Sequence, residues 1–282
     1  MVKLILSDMD NTLIPIGHDR VSARTLRAID AARAAGLHFA PATGRGPVEL
    51  APFFLNDESY YATGILYNGQ KVYVDGHLIY EKLYAFDDLQ RLERMALSLP
   101  DTVMYYYPDN PDASNPAWAV GADDATAQAH GKRYRFTPHV VAHAPEVPYI
   151  SAVVATGGGD AAVDAIRERM DREGLPLELV QTFPGWCDVL PKGVSKASGL
   201  TVLSDALGVT DEEIIVFGDA ENDLALFSAV TNSVAVANAT PAARRAARWH
   251  IGACADDAVA AAMEELVHQA RTGQLPSFMS LG

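Results

Sequence analysis

The chain opens with Met1-Val2-Lys3-Leu4-Ile5-Leu6-Ser7-Asp8-Met9-Asp10-Asn11-Thr12, and the order of these residues predicts the fold class. The apolar run over residues 3–7 indicates a buried strand. Ser22 is placed to cap a helix that ends near Gly36, and residues 37–42 have the pattern of a second strand. A strand, a helix and a second strand in this order form a βαβ unit, which implies a parallel sheet.

The strand pattern returns late in the chain. Residues 214–217 and 234–236 are short apolar segments with a helical stretch between them, so the sheet is expected to resume there. The intervening residues have a different texture, with aromatic clusters and their own apolar stretches. We therefore predict a Rossmann-like α/β core of residues 1–83 and 187–282, interrupted by an inserted α+β domain of residues 84–186. Helices are predicted over residues 86–99, 160–174 and 256–268, and strands of the insert over residues 102–107, 149–156 and 177–181.

The composition indicates a globular protein with a sizeable apolar core, and the charge argues against one class of partner. The chain has 282 residues, of which 49% are apolar, and its 22 basic and 36 acidic residues give a net charge of −14. This charge repels a nucleic-acid backbone, so no nucleic-acid partner is expected. It also gives a small anionic substrate no long-range attraction, so phosphate binding would require a metal ion and local Lys or Arg groups.

The sequence favours a cytoplasmic protein with no membrane partner. The apolar run at the amino end is too short for a signal peptide, and no later apolar run approaches the length of a membrane span. Cys187 and Cys254 lie far apart in the sequence and match no metal-ligand spacing. Two free thiols in a reducing compartment are therefore expected instead of a disulfide.

Asp8 and Asp10 directly follow the first predicted strand, at the edge where open α/β sheets bind their ligands. A helix cap or a turn would need only one Asp, and a second one crowds negative charge. A divalent cation would remove that cost, because Mg²⁺ is bound by carboxylate, carbonyl and water oxygens. By itself this motif leaves both a metal site and a polar turn open.

Three further segments are expected at the same edge of the sheet. Ala42-Thr43-Gly44-Arg45 follows the second strand, where a hydroxyl and backbone N–H groups at a helix start can bind an anion or simply cap the helix. The segment after residues 214–217 adds Asp219 and Asp223. Lys196 begins a helix near the end of the insert, where it either lies on the surface or reaches a phosphate.

Together these segments resemble the four ordered motifs of the haloacid dehalogenase superfamily. The matching residues are Asp8-x-Asp10-x-Thr12, Thr43-Gly44-Arg45, Lys196 and Gly218-Asp219-x-x-Asn222-Asp223, and the similarity extends through Tyr67-Asn68-Gly69, Val194-Ser195-Lys196 and Asn238-Ala239. The position of the insert, between the second and third motifs, resembles the type IIB cap of the Cof-type phosphatases. Many relatives carry Gly where this chain has Asn11, and Asn also tolerates a left-handed backbone.

The resemblance implies a Mg²⁺-dependent phosphatase that acts through an aspartyl phosphate. Asp8 would be the nucleophile, and Asp10 would protonate the leaving oxygen and then deprotonate the attacking water. The implied metal ligands are the side chains of Asp8 and Asp219 and the backbone carbonyl of Asp10. Asp223 is expected to orient Lys196 or a metal-bound water. The expected phosphate-binding groups are the Met9 and Gly44 amides, Thr43, Lys196 and Asn222.

The implied substrate is a small phosphomonoester, such as a sugar phosphate, over which the cap is expected to close. Arg45 and Asn68 are candidates for substrate contacts from the core. Candidates in the insert, each more often structural than ligand-binding, are Trp118, Arg133, Arg135, His139 and Trp186. Two alternative functions stay open, a phosphosugar mutase of the same superfamily and a phosphate-binding regulator without turnover. The oligomeric state has no signature in the sequence.

Overall fold

The computed structural model describes residues 1–109, 117–134 and 137–280. The strands are, in chain order, β1 (Leu4–Ser7), β2 (His38–Pro41), β3 (Gly64–Leu66), β4 (Lys71–Val74), β5 (His77–Glu81), β6 (Thr102–Pro108), β7 (Trp118–Val120), β8 (His139–Val141), β9 (Tyr149–Thr156), β10 (Leu177–Phe183), β11 (Trp186–Pro191), β12 (Ile214–Gly218), β13 (Asn232–Ala235) and β14 (Trp249–His250). The α-helices are α1 (Ala23–Ala34), α2 (Pro47–Leu50), α3 (Phe86–Ala96), α4 (Asp124–Tyr134), α5 (Gly159–Arg172), α6 (Lys196–Leu207), α7 (Leu224–Ala229), α8 (Pro241–Ala246) and α9 (Ala258–Thr272).

These elements form two units, of which the first contains Met1–Glu81 and Val194–Gly282. Its main sheet has the strand order β14-β13-β12-β1-β2, and each neighbouring pair is parallel. A small antiparallel sheet, β3-β4-β5, belongs to the same unit. The predicted βαβ start and the return of the sheet at β12 are therefore confirmed.

The core of this unit is built around β1, in which every residue is buried. Helix α1 begins as the sequence predicts, because the hydroxyl of Ser22 accepts a hydrogen bond from the Thr25 amide at 3.0 Å. Ala28, Ile29 and Ala32 lie on the buried side of this helix and pack into the core. Such burial on both faces is typical of a parallel sheet covered by helices.

The second unit contains Lys82–Gly193 and has its own sheet and core. The strand order is β10-β11-β9-β6-β7-β8, antiparallel except for the pair β7 and β8. Helices α3 and α5 bury Leu89, Leu92, Val163 and Ile166 in this core. The prediction of an α/β core with an inserted α+β domain is confirmed.

The end of the insert differs from the sequence prediction, which assigned residues from 187 onward to the core. Strand β11 pairs with both β9 and β10, and it buries Cys187 and Val189 in the core of the insert. The second unit therefore extends to Gly193, and it begins at Lys82 instead of residue 84. A short apolar strand carries no sign of which sheet it joins, because that depends on pairing with distant residues.

Both cysteines are free, as the sequence predicts, and both are buried. Burial raises the pKa of Cys187 to about 11 and the pKa of Cys254 to about 12, so both thiols stay protonated near neutral pH. Among the helices of the described residues, none combines the length and the apolar character that crossing a bilayer requires.

Candidate active site

The carboxyl ends of β1, β2 and β12 bring three of the predicted motifs to one edge of the main sheet. The parallel register places Ser7 opposite both Pro41 and Phe217. Just beyond these residues, the Asp8 amide donates to the Phe217 carbonyl at 2.9 Å, and the Ala42 amide donates to the Ser7 carbonyl at 2.8 Å. The chain therefore leaves the three strands side by side, which is where ligands bind in open α/β sheets.

Lys196 completes this cluster from the first position of α6. The helix start is fixed by Ser195, whose hydroxyl accepts from the Ser198 amide at 3.2 Å and whose amide donates to the Ser198 hydroxyl at 2.9 Å. The Lys196 Nζ lies 2.6 Å from Asp8 Oδ1 and 2.8 Å from Asp223 Oδ1. Only 1% of Lys196 is exposed, so the surface position considered for this side chain is wrong.

Burial and neighbouring charges both shift the pKa values of these groups. Burial lowers the pKa of Lys196, but the neighbouring Asp223 and Asp8 outweigh it and hold that pKa above its ordinary value. Burial raises the pKa of Asp8, Lys196 offsets part of that rise, and Asp223 adds to it. The pKa of Asp219 is also raised by burial. A further cation beside these carboxylates would favour their charged forms.

Asp223 is held on both of its oxygens. Oδ2 accepts hydrogen bonds from the Asp219 amide at 3.0 Å and from the Ala220 amide at 3.2 Å, while Oδ1 binds Lys196. The side chain is fully buried. Asp223 thereby fixes both the turn that carries Asp219 and the ammonium group that contacts Asp8.

The residues present fit a Mg²⁺ ion. Among the described residues, Asp8, Asp219 and Asp223 each offer a carboxylate oxygen, and these oxygens lie within 4.8 Å of one another. When ionised they carry three negative charges against the single charge of Lys196, which leaves two charges that a divalent cation would balance. Carboxylate oxygens are also the ligands that Mg²⁺ prefers.

The Asp10 carboxylate lies outside that group and is paired with Arg45 instead. Arg45 Nε lies 2.7 Å from Asp10 Oδ2, and Arg45 Nη2 lies 2.7 Å from Asp10 Oδ1. The guanidinium group also lies over the Phe53 ring, 4.8 Å from its centroid, and 3.9 Å from Glu49 Oε1. The sequence predicts Arg45 as a substrate contact, and in the structure its guanidinium group binds both oxygens of Asp10.

The remaining predicted phosphate-binding residues surround the same edge. The hydroxyl oxygen of Thr43 accepts from the Arg45 amide at 3.2 Å, so its own hydrogen can be donated to another acceptor. A Cβ on Gly44 would lie 3.0 Å from Asn68 Nδ2, so the glycine lets this amide approach the loop. Met9 is buried in the turn after β1, and Asn222 lies half-buried in the 3-10 turn Glu221–Asp223.

The segment Tyr67-Asn68-Gly69 is more important to this geometry than the sequence indicates. All three residues are left-handed, with φ values of 51°, 55° and 99°. The Tyr67 amide donates to the Arg45 carbonyl at 3.3 Å, and the Asn68 amide donates to the Thr43 carbonyl at 2.9 Å. Strain of this kind persists where the surrounding structure requires it. The sequence showed the segment only as a match to a family pattern.

Gly69 connects this segment to the start of α6. A Cβ on Gly69 would overlap the carbonyl oxygen of Ser195, the residue before Lys196. The Tyr67–Gly69 segment thus touches the Thr43–Arg45 loop on one side and the amino end of α6 on the other. It sets the separation between these two parts of the site.

We expect Gly69→Ala to destabilise the protein well beyond the cost of its backbone conformation, because the methyl group meets the main chain at Ser195. Gly76→Ala is a matched control, since Gly76 also has a positive φ, of 79°, but a Cβ there meets no described atom within 4 Å. Each change adds left-handed strain of about 1–2 kcal/mol, and Gly69→Ala should cost a further ~1–3 kcal/mol in urea unfolding. Equal losses in the two variants would contradict the close approach.

The described candidates in the insert pack against aromatic rings of that unit. Trp118 and His139 lie opposite each other on β7 and β8, with ring centroids 5.7 Å apart in an edge-on arrangement. Trp186 stacks on Tyr105 with ring centroids 5.6 Å apart. The side chains of Arg133 and Arg135 lie outside the described residues. The aromatic residues therefore have packing partners, in line with the structural role that the sequence favours for them.

Comparison with known proteins finds relatives over almost the whole chain. YxeH of Bacillus subtilis is 28% identical over an alignment of 284 residues, which covers 95% of this chain and 99% of that protein. The HMP-PP phosphatase of Escherichia coli is 27% identical over 257 residues, which cover 86% of this chain and 87% of that enzyme.

Two solved structures share the fold. The sugar phosphatase BT4131, of subclass IIB of the haloacid dehalogenase superfamily, has a TM-score of 0.78 at 20% identity and covers 94% of this chain and 99% of its own. SMU.1108c of Streptococcus mutans has a TM-score of 0.83 at 16% identity, over 95% of this chain and 100% of its own. The model of the haloacid dehalogenase-like hydrolases matches residues 5–263. The predicted family and enzyme class are thus confirmed, and the chain belongs to the haloacid dehalogenase-like hydrolases.

Proposed function

We propose that the chain is a Mg²⁺-dependent phosphatase that hydrolyses a small phosphomonoester through an aspartyl phosphate on Asp8. The observation that carries this proposal is the buried contact of Lys196 with Asp8 and Asp223, beside Asp219, at the carboxyl edge of the sheet. Relatives named for HMP-PP and for 5-amino-6-(5-phospho-D-ribitylamino)uracil support a phosphorylated metabolite as the substrate class.

In the first step a carboxylate oxygen of Asp8 attacks phosphorus. The bond between phosphorus and the Asp8 oxygen forms as the bond to the leaving oxygen breaks, and the leaving oxygen takes a proton from Asp10. Lys196 binds Asp8 Oδ1 and so fixes the direction of the nucleophile. Asp223 in turn holds Lys196 in place.

Asp8, the backbone carbonyl of Asp10 and Asp219 would hold the metal ion. When bound, Mg²⁺ supplies positive charge that lowers the repulsion between the phosphate and these carboxylates. The chain's own groups then bind the equatorial phosphate oxygens, where charge develops in the transition state. The groups that we assign to these oxygens are the Thr43 hydroxyl, the Met9 and Gly44 amides, the Lys196 ammonium group and the Asn222 amide.

Arg45 orients Asp10. Each Asp10 oxygen accepts one hydrogen bond from the guanidinium group, which fixes the carboxylate while leaving lone pairs for the proton transfers assigned to it. In the second step Asp10 removes a proton from water, which attacks phosphorus, breaks the bond to Asp8 and releases inorganic phosphate. We also assign Arg45 to contact with the substrate.

The experiment that tests the proposed function is an assay of free phosphate release across a panel of phosphorylated metabolites and an aryl phosphate. A phosphatase releases inorganic phosphate from several of them in the presence of Mg²⁺. Transfer of the phosphoryl group between positions of a sugar, with no free phosphate, would identify a mutase instead. Tight phosphate binding without turnover on any compound would identify a regulator.

We expect excess chelator to abolish phosphate release, because the clustered carboxylates then repel the substrate phosphate as well as one another. Adding Mg²⁺ in excess of the chelator should restore the full rate. Asp219→Ala should raise the Mg²⁺ concentration that gives half of the maximal rate, since it removes a carboxylate from the cluster. Unchanged turnover in excess chelator would refute the proposed metal dependence.

A further inference from the structure

Asn11 directly follows Asp10 in the turn after β1, and its side chain contacts a proposed metal ligand. Its backbone is left-handed, with φ of 63°. The side-chain Nδ2 donates to Asp219 Oδ2 at 3.0 Å, while the neighbouring Thr12 hydroxyl donates to Asp219 Oδ1 at 3.1 Å. Both oxygens of Asp219 are therefore held by the loop that also carries Asp8 and Asp10.

The position of Asn11 is fixed from a second direction. Its carbonyl oxygen accepts a hydrogen bond from Asn238 Nδ2 at 2.8 Å, and Asn238 Oδ1 accepts from the Cys254 amide at 2.8 Å. The Asn11 amide donates to the Ile14 carbonyl at 2.7 Å. The side-chain amide that contacts Asp219 thus belongs to a turn whose backbone is fixed by hydrogen bonds.

Asn11 suits this position for two physical reasons. A left-handed backbone costs most residues about 1–2 kcal/mol, and Asn tolerates it better than most residues because its short polar side chain can bond locally. Unlike Gly, Asn also carries a side-chain N–H donor. A glycine would relax the turn but would leave Asp219 Oδ2 without this contact.

We propose that Asn11 is a positioning residue that restricts Asp219 to metal coordination through one oxygen and thereby favours Mg²⁺ over Ca²⁺. This inference rests on the proposed function, in which Asp219 is a ligand. An ionised carboxylate has lone pairs in excess of the two hydrogen bonds, so Asp219 can still bind a cation. With each oxygen held by a separate donor, the group is not free to turn both oxygens toward one ion.

The preference follows from the coordination chemistry of the two ions. Mg²⁺ requires near-octahedral geometry and short distances, whereas Ca²⁺ accepts more ligands, flexible geometry and bidentate carboxylates. A carboxylate fixed to one-oxygen coordination therefore suits Mg²⁺. Hydrogen bonds to metal ligands typically change metal affinity by about 10–100-fold.

The test is calorimetric titration of the metal-free protein and of Asn11→Gly with Mg²⁺ and, separately, with Ca²⁺. Glycine keeps the left-handed turn and removes only the side chain. We expect the Mg²⁺ dissociation constant to rise about tenfold and the Ca²⁺ dissociation constant to rise less than about threefold. The Mg²⁺ concentration for half-maximal turnover should rise in parallel, with little change in the rate at saturating Mg²⁺.

Asn56→Gly is the matched control, because Asn56 is also left-handed, with φ of 61°, but is exposed and belongs to another turn. Its affinity for both ions should equal that of the parent protein. Equal Mg²⁺ affinity in the parent and in Asn11→Gly, or an equal loss for both ions, would overturn the inference alone. Absence of Mg²⁺ binding by the parent would instead refute the proposed function. Unfolding of metal-free Asn11→Gly at room temperature would reduce Asn11 to a structural role.

Discussion

Asp8→Asn should reduce phosphate release to the background rate, a loss on the order of 10⁴-fold or more, as expected when a covalent nucleophile is removed. An amide oxygen is not a competent nucleophile at phosphorus, whereas the shape of the side chain is unchanged. The new residue keeps an oxygen that can accept from Lys196, so the fold should be retained. Phosphate release from an aryl phosphate measures the loss, and circular dichroism checks the fold.

Asp10→Asn is the control, since it makes the same change two residues away. This variant loses the acid and the base but keeps the backbone carbonyl proposed as a metal ligand. With an activated aryl phosphate the first step needs little protonation, so the phosphorylated enzyme should accumulate and hydrolyse slowly. Intact-mass spectrometry would show an increase of about 80 Da, that of one phosphoryl group. Accumulation of this adduct in Asp8→Asn would show that Asp8 is not the nucleophile.

Lys196→Met should lower both the rate and the stability of the folded state. It removes an ammonium group that contacts both buried carboxylates, Asp8 and Asp223. Loss of one member of a buried ion pair typically costs about 3–5 kcal/mol, which urea unfolding would measure. Loss of one preorganised electrostatic contact should slow turnover on the order of 10²-fold or more.

Two further measurements separate the effect of Lys196→Met on the rate from its effect on stability. Added Mg²⁺ should restore part of the stability of Lys196→Met, because it replaces some of the missing positive charge, but it should not restore the rate. Lys192→Met changes an exposed lysine and should alter the free energy of unfolding by less than about 0.5 kcal/mol. Kinetics close to those of the parent in Lys196→Met would show that Lys196 is not part of the catalytic machinery.

The sequence could predict the core of this arrangement because parallel strands turn local patterns into spatial neighbours. Asp8, Thr43 and Asp219 each lie within two residues of the end of a strand, and a parallel register brings such positions to the same edge. The burial of Lys196 could not be read in this way, since a single lysine is exposed by default. Its contacts depend on two carboxylates that are 188 and 27 residues away in the sequence.

Other contacts could not be predicted from the sequence because they depend on side-chain direction. The patterns placed Arg45 beside the site but could not show that it binds both oxygens of Asp10. The sequence predicts Asn11 as a turn residue, but the hydrogen bond from its side-chain amide to Asp219 depends on the geometry of that turn. The pairing of β11 with β9 and β10 likewise places the end of the insert at Gly193 instead of the predicted residue 186.

The strand order also constrains how the chain folds during synthesis. The interior strand β1 has β2 as a local neighbour on one side, but its other neighbour, β12, begins at Ile214. Until that part has left the ribosome, β1 presents an unpaired apolar edge, which is a template for aggregation. The insert can form its own core before then, whereas the carboxyl edge of the main sheet depends on contacts of very long sequence separation, which form slowly. Nascent chains that stop before residue 214 should therefore require chaperone protection of β1.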